Sequence, residues 1–341
     1  MWFLQRHGEM ARVWRLLVAA LLAALGLAVG GAQAAEGPLR VVVSIAPLKE
    51  LAERLVPPGA VVEVLIPPGV SEHGYEIAPR ALMGLGEADV VVFVGLGLEP
   101  QVEKFLRERP RAGRREVSFA AAAGQEGGAA DSDHAGHDHE HGEACEHGHG
   151  VDPHLWLDPR LAAEKLVPAM SEALADALRL RGAASDAELG QLAERTASLK
   201  ADLLALDRAF AARLEPAKSR TIVVGHDAFG WMAKRYDLKT VAIHGLDAQE
   251  PKPSAIAAAA AAVREHGLKV VFSEPQLSAK ASKRVAEATG ARVLTLDPLG
   301  DGTYFAFMRR NLDALCEAIA CGPVEVARTK KGADEHEPAQ R

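Results

Sequence analysis

Positive charge is in short supply in this sequence. Lys and Arg number 39 against 46 Asp and Glu, a formal net charge of -7. The basic stripe with which a nucleic-acid binder neutralises phosphates is therefore not expected, and the balance suits a protein that attracts cations. Cysteine is scarce as well, with three in 341 residues. An odd count leaves one thiol over unless two chains join. Cys316 and Cys321 are near enough in sequence to bridge close to the end of a helix, and Cys145 stands apart. Long apolar runs are missing except for Leu16 to Val29, which follows Arg12 and Arg15 and dissolves into Gly30-Gly31. That run is short for a membrane span. With Ala32-Gln33-Ala34 behind it, it has the layout of a secretory signal over residues 1–35, and Met10 would start an equally complete one. No cysteine follows the cleavage site, so the expectation is an exported protein without a lipid anchor, in a periplasm.

What remains reads as alternating strands and helices. RVVVSI from Arg40, Val61 to Leu65 and VVVFV from Val90 are apolar runs typical of buried parallel strands, with helices after the first and third. A short strand is expected near Val117. From Ala120 to Gly150 the chain turns to Ala, Gly, Asp, Glu and His, with no apolar surface to offset the entropy of ordering, and reads as a disordered insertion. Asp158-Pro159 opens another helix, which Pro168 should disturb. Leu192, Leu199, Leu203, Leu206, Phe210 and Leu214 then recur at helical spacing along one long helix. A second strand–helix series runs from Thr221 to a final helix at Tyr304 to Ile319. The expected fold is α/β: two Rossmann-like lobes with mostly parallel sheets (36–182 and 216–321), joined by one long rigid helix (183–215). A polar tail (322–341) follows. A ligand of such sheets binds beyond the carboxyl ends of the strands, so the natural site is the cleft between lobes.

Four separated segments put metal-ligand residue types where a strand or loop meets a helix. They centre on Glu72-His73, Asp152-Pro153-His154, Gly225-His226-Asp227 and Gly300-Asp301-Gly302. A lone histidine is usually a satisfied interior or surface residue. Three at equivalent junctions of both lobes point instead to a shared site. Three imidazoles and a carboxylate form a closed four-coordinate set that suits Zn²⁺, although imidazole also suits Cu and Ni.

The segments SEHGYE, DPHLWLDP, VVGHDAFGWMAKRY, VVFSEPQ, LTLDPLG and DGTYFAFMRRNLDAL, in that order, resemble the ZnuA-type periplasmic zinc solute-binding proteins of ATP-binding-cassette importers. The resemblance runs from about Arg40 to Leu315. It implies two (β/α) lobes bridged by a rigid helix, metal held between them, and family histidines at His73, His154 and His226. For the fourth ligand it leaves Asp301, Glu72 or water. Asp301 is preferred here, because adjacent side chains such as Glu72 and His73 point apart in an extended segment. Manganese and iron relatives carry Glu where His226 stands, so the set argues for zinc. The resemblance also implies the partners: a membrane permease with its cytoplasmic ATPase, receiving Zn²⁺ as cargo from a monomeric receptor that is not an enzyme.

Residues 131–150 add six histidines, His134, His137, His139, His141, His147 and His149, among acidic side chains. A merely solvated spacer accounts poorly for that density, and the expectation is a weaker secondary collector or sensor of zinc. Cys145 could join it as a thiolate. Glu274 in the SEPQ segment is expected to support its loop, Asp297 to cap a turn, and Trp156 and Trp231 to pack beside the ligands. His244, His266 and His336 are read as structural, and His7 as lost with the signal. The competing classes are a secreted zinc hydrolase and a receptor for another metal. The first lacks HExxH and would need an open zinc position with Glu72 as base. The second would be separated by competition between Zn²⁺ and Mn²⁺.

Overall fold

The computed structural model describes residues 37–125 and 151–321. The expected export signal, the histidines of 131–150 and the polar tail lie outside the described residues.

The first lobe is built on a four-stranded parallel sheet in the order β2-β1-β3-β4. Its strands are β1 (Arg40–Val43), β2 (Val61–Val64), β3 (Val90–Phe93) and β4 (Arg115–Ser118). Val42 sits opposite Val91 in the register. Both central strands are sealed on both faces, which is why they read as unbroken valine runs. The edge strand β2 alternates exposed and half-buried residues. Helices α1 (Ala46–Glu53), α2 (Pro79–Glu87) and α3 (Pro100–Glu108) each carry proline in the first turn, where a missing N–H costs nothing. Helix α2 was not foreseen; two glycines in its nine residues lower its helix propensity, and Leu85 is its one buried residue. The insertion also begins later than Ala120. Ser118 Oγ accepts from the Ala121 N–H at 3.1 Å and caps a short helix α4 (Phe119–Ala122), so the alanines there continue the fold.

Asp158 caps the next helix, accepting from the N–H groups of Arg160 (2.9 Å) and Leu161 (3.0 Å). Helix α5 (Pro159–Leu161) passes through a π turn at Ala162–Leu166 into α6 (Val167–Leu180). The disturbance expected at Pro168 takes that form, a widened turn just before a residue that cannot donate. A capping box between Ser185 and Glu188 then starts α7 (Asp186–Leu214), 29 residues long. Its buried stripe contains Leu192, Leu199, Leu203, Leu206, Phe210 and Leu214. The stripe belongs to one apolar core that takes residues from both lobes, so α7 is a packed beam between them.

The second lobe follows as β5 (Thr221–His226), α8 (Gly230–Tyr236), β6 (Lys239–His244), α9 (Pro253–Glu265), β7 (Val270–Ser273), α10 (Lys280–Thr289), β8 (Arg292–Thr295) and α11 (Tyr304–Ile319). β5 pairs with β6 and β7 with β8, both in parallel. Polar bonds tie the lobes together. The fully buried Trp156 donates its indole N–H to Pro298 O at 2.6 Å, and the Tyr304 hydroxyl donates to Trp156 O at 2.6 Å. No helix among the described residues is long and apolar enough to cross a membrane. Cys316 and Cys321 are both free thiols, so the bridge that their spacing allows is not formed in the structure.

Candidate metal centre

Three segments expected to carry ligands converge between the lobes. His226 is the last residue of β5, and so stands at the carboxyl edge of the second lobe's strands. His154 precedes a 3-10 turn, Leu155–Leu157. Its backbone is set by Asp152, whose Oδ1 accepts from the His154 N–H at 2.9 Å. His73 lies in a turn in which its N–H donates to Ser71 Oγ at 3.3 Å and Gly74 takes a φ of 69°. The ring centroids of the three histidines are 5.1 to 5.4 Å apart.

The fourth member is Glu72. One ligand atom from each of Glu72, His73, His154 and His226 lies within 4.8 Å of every other. The structure thus brings Glu72, the alternative fourth candidate, to the three histidines, and does not bring Asp301. Residues 71–74 are not extended, so the two neighbours Glu72 and His73 face the same point. Asp301 is exposed and turned elsewhere, with Oδ1 accepting from the Thr303 N–H at 3.2 Å and Oδ2 3.5 Å from Arg310 Nη2. The Thr303 hydroxyl and Arg310 hold its carboxyl below the usual range.

The spacing fits a small four-coordinate ion. Nitrogens about 2.0–2.1 Å from a tetrahedral zinc stand roughly 3.3–3.4 Å from one another. His226 Nε2 and His154 Nε2 are 3.3 Å apart, and Glu72 Oε1 is 3.5 Å from His154 Nε2 and 3.7 Å from His73 Nε2. Glu72 Oε1 and His73 Nε2 are buried and have no hydrogen-bond partner. Buried polar atoms are rarely left so unless something else satisfies them.

Two carboxylates behind the histidines decide which nitrogens face inward. Asp152 Oδ1 accepts from His154 Nδ1 at 2.7 Å, and Glu274 Oε2 from His226 Nδ1 at 2.5 Å. Each imidazole thereby spends its Nδ1 proton outward and turns the Nε2 lone pair toward the centre. Two such lone pairs 3.3 Å apart repel unless a cation or a proton lies between them. Close packing holds both carboxylates. A Cβ on Gly225 would stand 3.0 Å from Glu274 Oε1, and one on Gly230 would stand 2.5 Å from Asp152 Oδ2. The main chain of Asp152 also accepts from the Trp231 indole N–H at 2.8 Å, joining this corner of the first lobe to α8 of the second.

Electrostatics agree with a cation site. Burial works against charge on Glu72, yet contact with the imidazoles of His154 and His73 outweighs it and holds the carboxyl at about 2. Burial likewise opposes charge on His154, but Asp152 and Glu72 overcome it and lift the imidazole to about 9. Burial lowers His73 to about 4, with Glu72 offsetting part of the effect. The centre therefore favours a positive charge among its ligands while keeping a neutral imidazole at His73. His244 and Asp297 play the structural parts expected: His244 Nδ1 donates to Gly225 O at 2.6 Å, and Asp297 Oδ1 accepts from the N–H groups of Leu299 (3.0 Å) and Gly300 (2.9 Å). Asp152 had no assigned part, although a carboxylate two residues before a candidate ligand is a local signal for it.

The chain is similar to known proteins along most of its length. The profile of the family described as ZnuA, zinc-uptake complex component A, periplasmic, matches residues 41–318. The chain is 30% identical over 311 residues to the zinc-binding lipoprotein AdcA of Streptococcus pneumoniae, covering 88% of this chain and 60% of that one. It thus spans about 60% of the length of the first AdcA relatives it matches. It is 29% identical over 315 residues to the high-affinity zinc uptake system protein ZnuA of Bacillus subtilis, covering 85% of this chain and 90% of that one. Its fold matches a zinc-bound crystal structure of a ZnuA deletion mutant with a TM-score of 0.66 at 25% identity, over 84% of this chain and all of that one.

Proposed function

Because the chain belongs to the ZnuA family of zinc-uptake components, we propose that it is the receptor of a zinc importer: it captures Zn²⁺ between its lobes, yields it to a membrane permease and catalyses nothing. The observation that carries this reading is the mutually facing set of the buried Glu72, His154 and His226 and the half-buried His73, drawn from both lobes. Three imidazoles and one carboxylate favour zinc over manganese, which prefers oxygen. Glu72 inside the coordination sphere also argues against a hydrolase, since it fills the position that a reactive water would need and is no longer a free base.

In this reading residues 36–182 and 216–321 are the metal-binding lobes and 183–215 the stiff link. The packed beam of α7 and the Trp156–Pro298 and Tyr304–Trp156 bonds limit the opening between them, so capture involves a small rearrangement. Residues 1–35 direct export to the periplasm. The histidines of 131–150 gather zinc at weaker, secondary sites. The loaded monomer docks on the permease of an ATP-binding-cassette importer, whose ATPase supplies the energy.

The test is zinc binding in competition with a chelator of known affinity, with the full chain. One tight site per chain is expected, with Mn²⁺ a poor competitor. The variant with His73, His154 and His226 all changed to Ala should lose it while the 131–150 segment stays intact. A tight site that survives in that variant overturns the proposal.

A further inference from the structure

Two thiols lie against each other where α11 ends, away from the metal centre. Ala320 closes the helix in the left-handed region, with a φ of 53°, and this turn folds the chain back so that the Cys321 N–H donates to Cys316 O at 3.1 Å. A backbone bond of this kind at a helix C-terminus holds Cys316 and Cys321 beside each other across the turn. Cys316 is buried and Cys321 is half-buried. The Cys316 sulfur also points at the end of the linking helix, 4.0 Å from Arg213 O. Nearby, Arg213 Nη1 bonds Asp313 Oδ1 at 2.5 Å.

We propose that Cys316 and Cys321 are a disulfide site, oxidised by thiol–disulfide exchange into a bridge that closes the left-handed turn at the end of α11. The oxidant is a disulfide, either of a small thiol or of an oxidoreductase. Cys321, the reachable partner, loses its proton and attacks one sulfur of that disulfide, releasing one thiolate. The buried Cys316 then loses its proton and attacks the Cys321 sulfur of the mixed disulfide, releasing the second thiolate. One disulfide is consumed and one is made, and two protons pass to solvent and the released thiolates.

The bridge spans the left-handed residue, so it fixes a conformation that a non-glycine residue otherwise adopts at some cost. Burial and the bond to Cys316 push the Cys321 thiol up to about 12. A pair whose thiolate is not stabilised has no reason to favour the reduced state, in contrast to strongly oxidising redox enzymes.

The test uses the full chain carrying Cys145→Ser, equilibrated in equimolar reduced and oxidised glutathione, acid-quenched, alkylated and mapped by mass spectrometry. The intramolecular 316–321 disulfide is expected to exceed glutathione adducts on either residue by at least roughly tenfold. Reduction should then lower the thermal midpoint of this protein, and should leave unmoved the one that also carries Cys321→Ser. Free thiols at both positions, glutathione adducts in excess, or cross-linking between chains would each overturn the proposal. None of these outcomes depends on whether the chain binds zinc.

Discussion

Glu274 grips His226 at two points, accepting from its backbone N–H at 2.8 Å through Oε1 and from its Nδ1 at 2.5 Å through Oε2. The carboxylate thus fixes both where the histidine stands and which nitrogen it turns to the centre. The grip is buried on both sides, with side chains 2% and 1% exposed, so water cannot replace it. Glu274→Gln keeps the size but loses the charge, and its amide can accept only one of the two bonds. Carboxylates behind metal-binding histidines are typically worth about 10–100-fold in affinity, and a loss in that range is expected from chelator competition. Gly225→Ala, which presses a methyl toward Glu274 Oε1, should move affinity in the same direction.

Asp152 does the same for His154 and in addition contacts the opposite lobe. Its Oδ1 serves both the backbone and Nδ1 of His154, and its carbonyl receives the Trp231 indole. Asp152→Asn should weaken zinc binding by about 10–100-fold, while Asp152→Glu should restore part of the loss. Trp231→Phe removes only the bond between lobes. It is expected to speed zinc release measured by stopped-flow chelation, with a smaller change in affinity at equilibrium than Asp152→Asn produces. Equal effects of the two changes would mean that Asp152 acts through the lobe contact alone.

The choice between Glu72 and Asp301 gives a direct contrast. Glu72→Ala removes an inward, buried carboxylate and should cost more than the roughly 100-fold ceiling for groups that merely orient ligands. Asp301→Ala removes an exposed side chain that bonds Thr303 and Arg310. A surface change of this sort is worth about 0.5 kcal/mol or less, or roughly twofold. The reverse ranking would restore Asp301 to the site.

That contrast also marks where sequence reading ran out. The position of His226 was legible because it ends an apolar strand, whereas His73 and His154 lie in turns that no apolar run marks. The stripe of α7 was legible from its helical period, as were both parallel series. Whether Glu72 and His73 face one point or two depends on the turn at 71–74, set by Ser71 Oγ and the positive φ of Gly74. Apolar periodicity carries no information about that turn. The pairing of Glu274 with His226 spans 48 residues and exists only because β5 and β7 lie side by side, which a single sequence does not state. Helix α2 escaped for a third reason: two glycines in nine residues argue against a helix on propensity alone.

Glu99 gives a prediction about pH that is independent of zinc. It is buried just ahead of α3, with Oε1 accepting from the Val94 N–H at 3.0 Å and Oε2 from the Gly95 N–H at 3.1 Å. Burial outweighs these bonds and the Ser44 hydroxyl, and raises its carboxyl from 4.5 to about 7. Between those values the folded protein holds a proton that the unfolded chain releases. The stability contributed is fully present below 4.5 and is lost as pH rises through 7. At 1.36 kcal/mol per unit the swing is about 3 kcal/mol. Glu99→Gln mimics the protonated acid at every pH, so its fixed cost in lost bonding does not vary. Urea unfolding in the presence of chelator should show the Gln variant gaining on the natural protein by about 3 kcal/mol between roughly pH 5 and pH 8. A stability difference that stays constant over that range would mean that Glu99 is ionised in the fold throughout, and that its two backbone bonds outweigh its burial.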